Sequence, residues 1–164
     1  MPQEAESAQP GLIAGLTALI SEYDEKWLAR DIAGVAGLWE RETPQPIYIG
    51  DEYPTPLIGV EALDRHWART AGRLKRARVF SQLWSAEALG SGFARCVPLS
   101  RWSFTAKESD VARSGSSWIT WLLAARGVGE EKRYLIVHHM ESQVYLGEGF
   151  GPGTPPGPDA EPVP

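Results

Sequence analysis

The amino-acid sequence predicts an α+β fold in which three N-terminal helices pack on a strongly curved, mainly antiparallel sheet that encloses a cavity. Before residue 76, apolar residues recur mostly at helical spacing, and beyond it they alternate with a period of two. Four long strand-like runs follow one another there, joined by separators that contain glycine or polar residues. Because long twisted strands curl, we expect a concave space between the sheet and the helices.

Three segments carry the helical spacing. The first covers residues 12–28, and Asp31 stands where the N-cap of a second, short helix is expected. The proline-containing stretch 43–46 ends the second helix, because a residue that precedes proline avoids the helical conformation. Gly59 opens the third helix, which is predicted over residues 60–73.

The strands follow from the period of two and from turn residues. A brief strand at 47–49 precedes a loop that runs from Gly50 to Pro56. The four long runs cover residues 77–89, 93–105, 116–126 and 132–145. Their order, after the helices, predicts consecutive antiparallel pairing within one sheet.

Both ends of the chain are expected to be tails around a single domain. Residues 1–10 are polar, and 147–164 contain glycine or proline at eleven of eighteen positions, which disfavours helices and strands. The predicted folded domain is therefore 11–146.

The composition limits the class of protein and of partner. The chain has 164 residues, 43% of them hydrophobic, which is enough for one domain with a core. A net charge of −5 argues against nucleic acid as a partner, because domains that bind it are usually basic. The sequence contains no apolar run of membrane-spanning length and no secretion signal, so we expect a cytoplasmic protein without a membrane partner. The lone cysteine, Cys96, cannot form an internal disulfide.

Four segments, taken in order, resemble the nuclear transport factor 2-like superfamily, in particular its SnoaL-like and ketosteroid isomerase-like branch. In the first segment, Tyr23 and Trp27 stand eight and four residues before Asp31. The other three segments are Gly37–Trp39, Gly59–Trp67 and Tyr134–Ser142. The resemblance covers residues 11–146. It implies a cone whose wide mouth is closed by three helices, a fold that serves isomerases, dehydratases, cyclases and binding or assembly modules.

The resemblance implies three catalytic residues. Tyr23 matches a helix tyrosine that donates a hydrogen bond to the substrate oxygen, and Asp51 lies one residue from the position of a carboxylate base. His138 would be a general base on the last strand. Each residue also has a structural interpretation: core packing for Tyr23, a solvated turn for Asp51, and a hydrogen bond to a neighbouring strand for His138. The second carboxyl group of ketosteroid isomerases has no counterpart in 117–126, which argues against steroid isomerisation itself.

The direction of the last strand's side chains decides which of its residues line the cavity. Regular alternation puts Tyr134, Ile136, His138, Met140 and Ser142 on one face and the residues between them on the other. In similar proteins the face that begins at the aromatic residue is turned inward. We therefore expect His138 to point into the cavity and the adjacent histidine to point away from it.

The predicted ligand is a small, largely apolar, cyclic molecule. The residues expected to contact it are Trp27, Trp39, Trp67, Trp121, Ile136 and Met140. If the site is catalytic, the expected chemistry is proton transfer, such as isomerisation, dehydration or cyclisation, without a cofactor. No spacing of histidines and carboxylates indicates a metal site.

An alternative function is a non-catalytic, dimer-forming module for ligand binding or assembly. Seven tryptophans are more than one small core usually needs, and an apolar outer sheet face would mate with a second copy. A homodimer is expected with either function. Polar groups that converge without partners in the interior would favour an enzyme, whereas an entirely apolar interior would favour a module.

Overall fold

A computed structural model describes residues 10–42, 44–129 and 132–144, and within them three helices precede most of a single six-stranded sheet. The predicted α+β class, the three helices and the mainly antiparallel sheet are confirmed. The predicted C-terminal tail and all but the last residue of the N-terminal tail lie outside the described residues.

The helices follow their sequence signals closely. Helix α1 spans Pro10–Ala29, α2 spans Ile32–Ala36, and α3 spans Val60–Arg73. Asp31 caps α2 as predicted, because its Oδ1 accepts a 2.8 Å hydrogen bond from the Gly34 N–H. Helix α2 is shorter than predicted, since Trp39 leaves it to form a parallel bridge with a residue of the last strand.

The strands are β1 at Ile47–Ile49, β2 at Leu57–Ile58, β3 at Leu74–Gly90, β4 at Phe93–Ala106, β5 at Arg113–Arg126 and β6 at Arg133–Gln143. Their order in the sheet is β2-β1-β6-β5-β4-β3, and the sheet is not closed. Strand β1 pairs in parallel with β6, and the other neighbours are antiparallel. Strand β2 has no counterpart in the sequence prediction, because two residues are too few to show a period.

One face of the sheet carries the core. Helix α1 crosses β3, and the side chains between helices and sheet include Leu16, Trp121, Leu123 and Ile136, all with no exposed surface. On the opposite face, Phe80 is exposed to 67% of its surface. That face is covered by none of the described helices.

A β-bulge in β6 changes the direction of its side chains. Leu122 pairs with His138 and Leu123 pairs with Ile136, so Val137 is an extra residue without a partner on β5. Ile136 therefore faces the helices, but beyond the bulge it is His139, not His138, that is buried. The prediction that His138 points inward was wrong, because it assumed unbroken alternation.

Candidate functional site

His139 lies among aromatic side chains that come from four different elements and connections. Tyr48 of β1 stacks on its imidazole with ring centroids 4.8 Å apart. Trp39, in the connection after α2, and Trp121 of β5 lie 6.1 and 6.3 Å away. Trp67 of α3 completes the group through contacts with Trp39 and Tyr48. All five side chains are buried, so they form one aromatic cluster between the helices and the sheet.

A buried hydrogen bond joins two neighbouring strands within this cluster. The Nε1–H of Trp121 donates to Nδ1 of His139 at 2.9 Å. The two residues are direct partners in the β5–β6 register, so the backbone pairing holds them opposite each other.

Glu141 follows His139 on the same inner face of β6. Its Oε2 lies 3.6 Å from the Nε2 of His139, which is too long for a hydrogen bond. Burial raises the pKa of the Glu141 carboxyl, but polar contacts with His139 and Ser117 outweigh it and leave the pKa below its ordinary value. The group is therefore a carboxylate at neutral pH.

Tyr23 of α1 brings a hydroxyl group to the same interior. Its ring centroid is 5.1 Å from that of Trp121. Burial raises the pKa of Tyr23 above its ordinary value, against the Trp27 contact, and the negative charge of Glu141 raises it further. The phenol consequently keeps its proton and can act as a hydrogen-bond donor near the carboxylate.

Several buried polar atoms of the cluster lack hydrogen-bond partners among the described residues. They are the indole Nε1 atoms of Trp39 and Trp67 and the Nε2 of His139. A buried polar group without a partner costs free energy, and native structures contain few of them. Three such atoms therefore lie within one set of touching rings. The interior is thus not entirely apolar.

A second histidine lies at the edge of the cluster. His66 of α3 contacts Tyr48 with ring centroids 4.8 Å apart, and its Nδ1 is hydrogen-bonded to the Tyr53 hydroxyl at 2.8 Å. Burial, the Arg69 guanidinium and His139 together lower the pKa of His66 to about 4. The imidazole is therefore neutral in the folded protein at physiological pH.

We expect His66 to make the protein less stable in mild acid. The unfolded chain protonates this histidine near pH 6.5, whereas the folded chain resists protonation until about pH 4. Stability is thus unaffected above pH 6.5, falls as the pH drops through this window, and has lost about 3 kcal/mol by pH 4. Urea unfolding of wild type and His66→Gln at pH 7 and pH 4 measures this loss. Equal losses in the two proteins would contradict the assignment to His66.

The structure brings together six of the nine residues that the sequence singled out. Tyr23, Trp27, Trp39, Trp67, Trp121 and Ile136 are all buried in one core cluster. The other three lie elsewhere: Asp51 is exposed in the loop after β1, His138 is half-buried outside this cluster, and Met140 is exposed to 44% of its surface on the outer face. The predictions that Asp51, His138 and Met140 line the interior are corrected on these grounds.

Sequence reasoning missed Tyr48, His139 and Glu141. Alternation correctly groups His139 and Glu141 on one face of the strand, but it predicts that this face is the outer one, whereas the structure turns it inward. Only the bulge at Val137 reverses the assignment, and a bulge is a property of pairing with β5 rather than of the β6 sequence. The sequence around Tyr48 has the pattern of any buried strand residue, so nothing in it marks Tyr48 as part of a site.

Neither a metal site nor a membrane-spanning helix is found in the part of the chain that the structure describes. Within residues 10–42, 44–129 and 132–144, no three His, Cys, Asp or Glu side chains are close enough to hold a metal ion. No helix there combines the length and the apolar character that a membrane crossing requires.

The architecture recurs in solved structures of low sequence identity. A ketosteroid isomerase-like protein from Erwinia carotovora atroseptica superposes with a TM-score of 0.67 at 13% identity, over 85% of this chain and 100% of that chain. A dehydratase-like protein of the nuclear transport factor 2-like family from Streptomyces avermitilis gives 0.65 at 10% identity, over 83% and 99%. A calcium/calmodulin-dependent protein kinase II association domain-like protein from Xanthomonas campestris gives 0.63 at 12% identity, over 79% and 85%. No described protein family matches the sequence, and no curated protein is recognisably related to it. From the superpositions and the element order, the chain has the nuclear transport factor 2-like fold.

Proposed function

We propose that this protein binds a small, largely apolar, cyclic carbonyl compound in its aromatic interior and moves a proton at the carbon next to the carbonyl, without a cofactor. The observation that carries the proposal is the partly buried Glu141 carboxylate, which lies beside His139 and within electrostatic range of the Tyr23 phenol. A base and a proton-bearing donor in one desolvated place are the parts that enolisation needs.

The chemistry assigns one role to each group. The Glu141 carboxylate removes a proton from the carbon next to the carbonyl, and the electron pair of the broken C–H bond moves onto the carbonyl oxygen. The Tyr23 hydroxyl donates a hydrogen bond to that developing oxyanion, whose charge is otherwise costly in an apolar interior. Return of the proton from Glu141 to a different carbon completes an isomerisation. In a dehydration the oxyanion instead re-forms the carbonyl, and a hydroxyl group on the second carbon from it takes the proton from Glu141 and leaves as water.

The surroundings support a cyclic substrate. The side chains of Trp39, Tyr48 and Trp67 are flat, buried and in mutual contact, and they offer π-faces to a planar ring. The unpartnered indole N–H groups of Trp39 and Trp67 suit oxygen acceptors on such a ring. Two structural neighbours named for isomerase and dehydratase activities are consistent with this reaction class.

Deuterium uptake into 1-tetralone tests the proposal without knowledge of the natural substrate. In D2O the protein should speed the replacement of hydrogen at C2 of this bicyclic ketone, which NMR follows directly. Heat-unfolded protein at the same concentration is the control. An exchange rate equal to that of the control, together with unchanged tryptophan fluorescence on titration with 1-tetralone, would contradict the proposal.

We further propose that two copies of the chain form a homodimer through the outer sheet face. Such a dimer is compatible both with an enzyme and with a non-catalytic assembly module. Phe80, Trp84 and Met140 are exposed there to 67%, 46% and 44% of their surfaces, and Trp84 contacts Trp118 with ring centroids 5.2 Å apart. Exposed apolar residues that lie on one face are typical of interfaces. A neighbour named for an association domain is consistent with assembly on this fold.

Phe80→Glu should convert the dimer to a monomer, because the new carboxylate would be desolvated in the interface. Size-exclusion chromatography with light scattering gives the mass of each species directly. Ile58→Glu is the matched control, since Ile58 is an exposed apolar residue on β2, at the opposite edge of the sheet. A wild-type protein that is monomeric at about 100 µM would refute the dimer.

A further inference from the structure

The hydrogen bond between Trp121 and His139 has a chemical direction that cannot be reversed. The indole Nε1–H is a donor and has no acceptor lone pair, so Nδ1 of His139 must be the acceptor in this 2.9 Å contact. Both side chains are buried, with 0% of the Trp121 surface and 2% of the His139 surface exposed. Water therefore offers Nδ1 little alternative to the indole.

A neutral imidazole that accepts at Nδ1 carries its proton at Nε2. The other tautomer would place two N–H groups against each other in a buried contact, and so would the doubly protonated ring. The Trp121 contact at Nδ1 thus determines which nitrogen carries the imidazole proton, whereas Glu141 lies near the other nitrogen, Nε2.

The Nε2–H then faces the interior where Glu141 lies. Its distance of 3.6 Å from the Glu141 Oε2 leaves the N–H without a hydrogen-bonded partner in the described part of the chain. We infer that Trp121 is a positioning residue that fixes His139 as an Nε2–H donor, so that this histidine serves the site as a hydrogen-bond donor to a ligand oxygen and not as its base.

This inference rests on the proposed function, which supplies the ligand, and it adds a prediction about ligand specificity. A site with a fixed, buried donor favours a ligand that presents a carbonyl or enolate oxygen and rejects an analogue of the same shape without that oxygen. Tyr23 and His139 would then share the oxyanion, and Glu141 would remain the group that accepts the proton from carbon.

The first test reads the tautomer in the ligand-free protein. Long-range 1H–15N correlation of the imidazole distinguishes a protonated from an unprotonated nitrogen, and we expect the Nε2–H form of His139 to dominate at pH 7.5. Trp121→Phe removes the donor but keeps an aromatic ring, and it should lower the ratio of the Nε2–H to the Nδ1–H form about tenfold. Trp27→Phe removes an indole N–H from the same interior without a ring contact to His139, and it should leave the ratio unchanged.

The second test reads specificity by fluorescence titration with 1-tetralone and with tetralin, which has the same two rings and no oxygen. The preference for 1-tetralone should fall about tenfold in Trp121→Phe relative to wild type. An Nδ1–H tautomer in the wild-type protein would overturn the inference even if Trp121→Phe does not fold, and so would an unchanged ratio in a folded variant. Because the tautomer is measured without ligand, a protein that shows the Nε2–H form and no exchange of 1-tetralone refutes the proposed reaction and leaves the role of Trp121 standing.

Discussion

Glu141→Gln should reduce the rate of deuterium exchange into 1-tetralone by a factor of about 10² to 10⁴. The amide keeps the size of the side chain and its capacity for hydrogen bonds, but it cannot accept a proton from carbon at neutral pH. NMR measurement of the exchange at C2 gives the rate directly, and Glu108→Gln is a matched control because Glu108 is exposed in the turn after β4. The control should exchange at the wild-type rate.

The same assay separates Glu141 from the carboxylate that the sequence suggested. If Asp51→Asn abolished the exchange and Glu141→Gln did not, the base would lie in the loop after β1 and the assignment made from burial would be wrong. Because the pKa of Glu141 is lowered, its carboxylate stays ionised at the pH where an ordinary glutamate becomes protonated. The exchange should therefore persist down to that pH and decline only below it.

Tyr48→Ala should lower the free energy of unfolding by about 3 to 5 kcal/mol. The ring is 6% exposed and stacks on His139. It also contacts the rings of His66, Trp39, Tyr53 and Trp67, so its removal leaves a cavity bounded by several elements that cannot all move to fill it. Urea unfolding monitored by tryptophan fluorescence measures the loss.

Tyr48→Phe is the matched control for this experiment. It keeps the ring and removes only the hydroxyl, which donates a 2.7 Å hydrogen bond to the exposed Glu52. The expected loss is about 1 kcal/mol. Similar losses in the two variants would mean that the hydroxyl, and not the ring stack, stabilises this part of the core.

The sequence predicted those features of the molecule that depend on local chemistry. Asp31 caps α2, Gly59 precedes α3, and the change from helical to alternating spacing near residue 76 marks the passage from α3 to β3. These signals arise within a few residues of each other along the chain, so no knowledge of distant contacts was needed to interpret them.

The face of a strand is a different kind of property. A single unpaired residue reverses every side chain beyond it, and the pairing of β6 with β5, together with the bridge between Ile136 and Trp39, determines where that residue lies. The sequence therefore identified the aromatic residues that build the interior, because burial of large apolar surface follows from composition and period. Only the tertiary structure decided that His139 and Glu141 join them, since the energy that places a bulge comes from contacts between segments far apart in the chain.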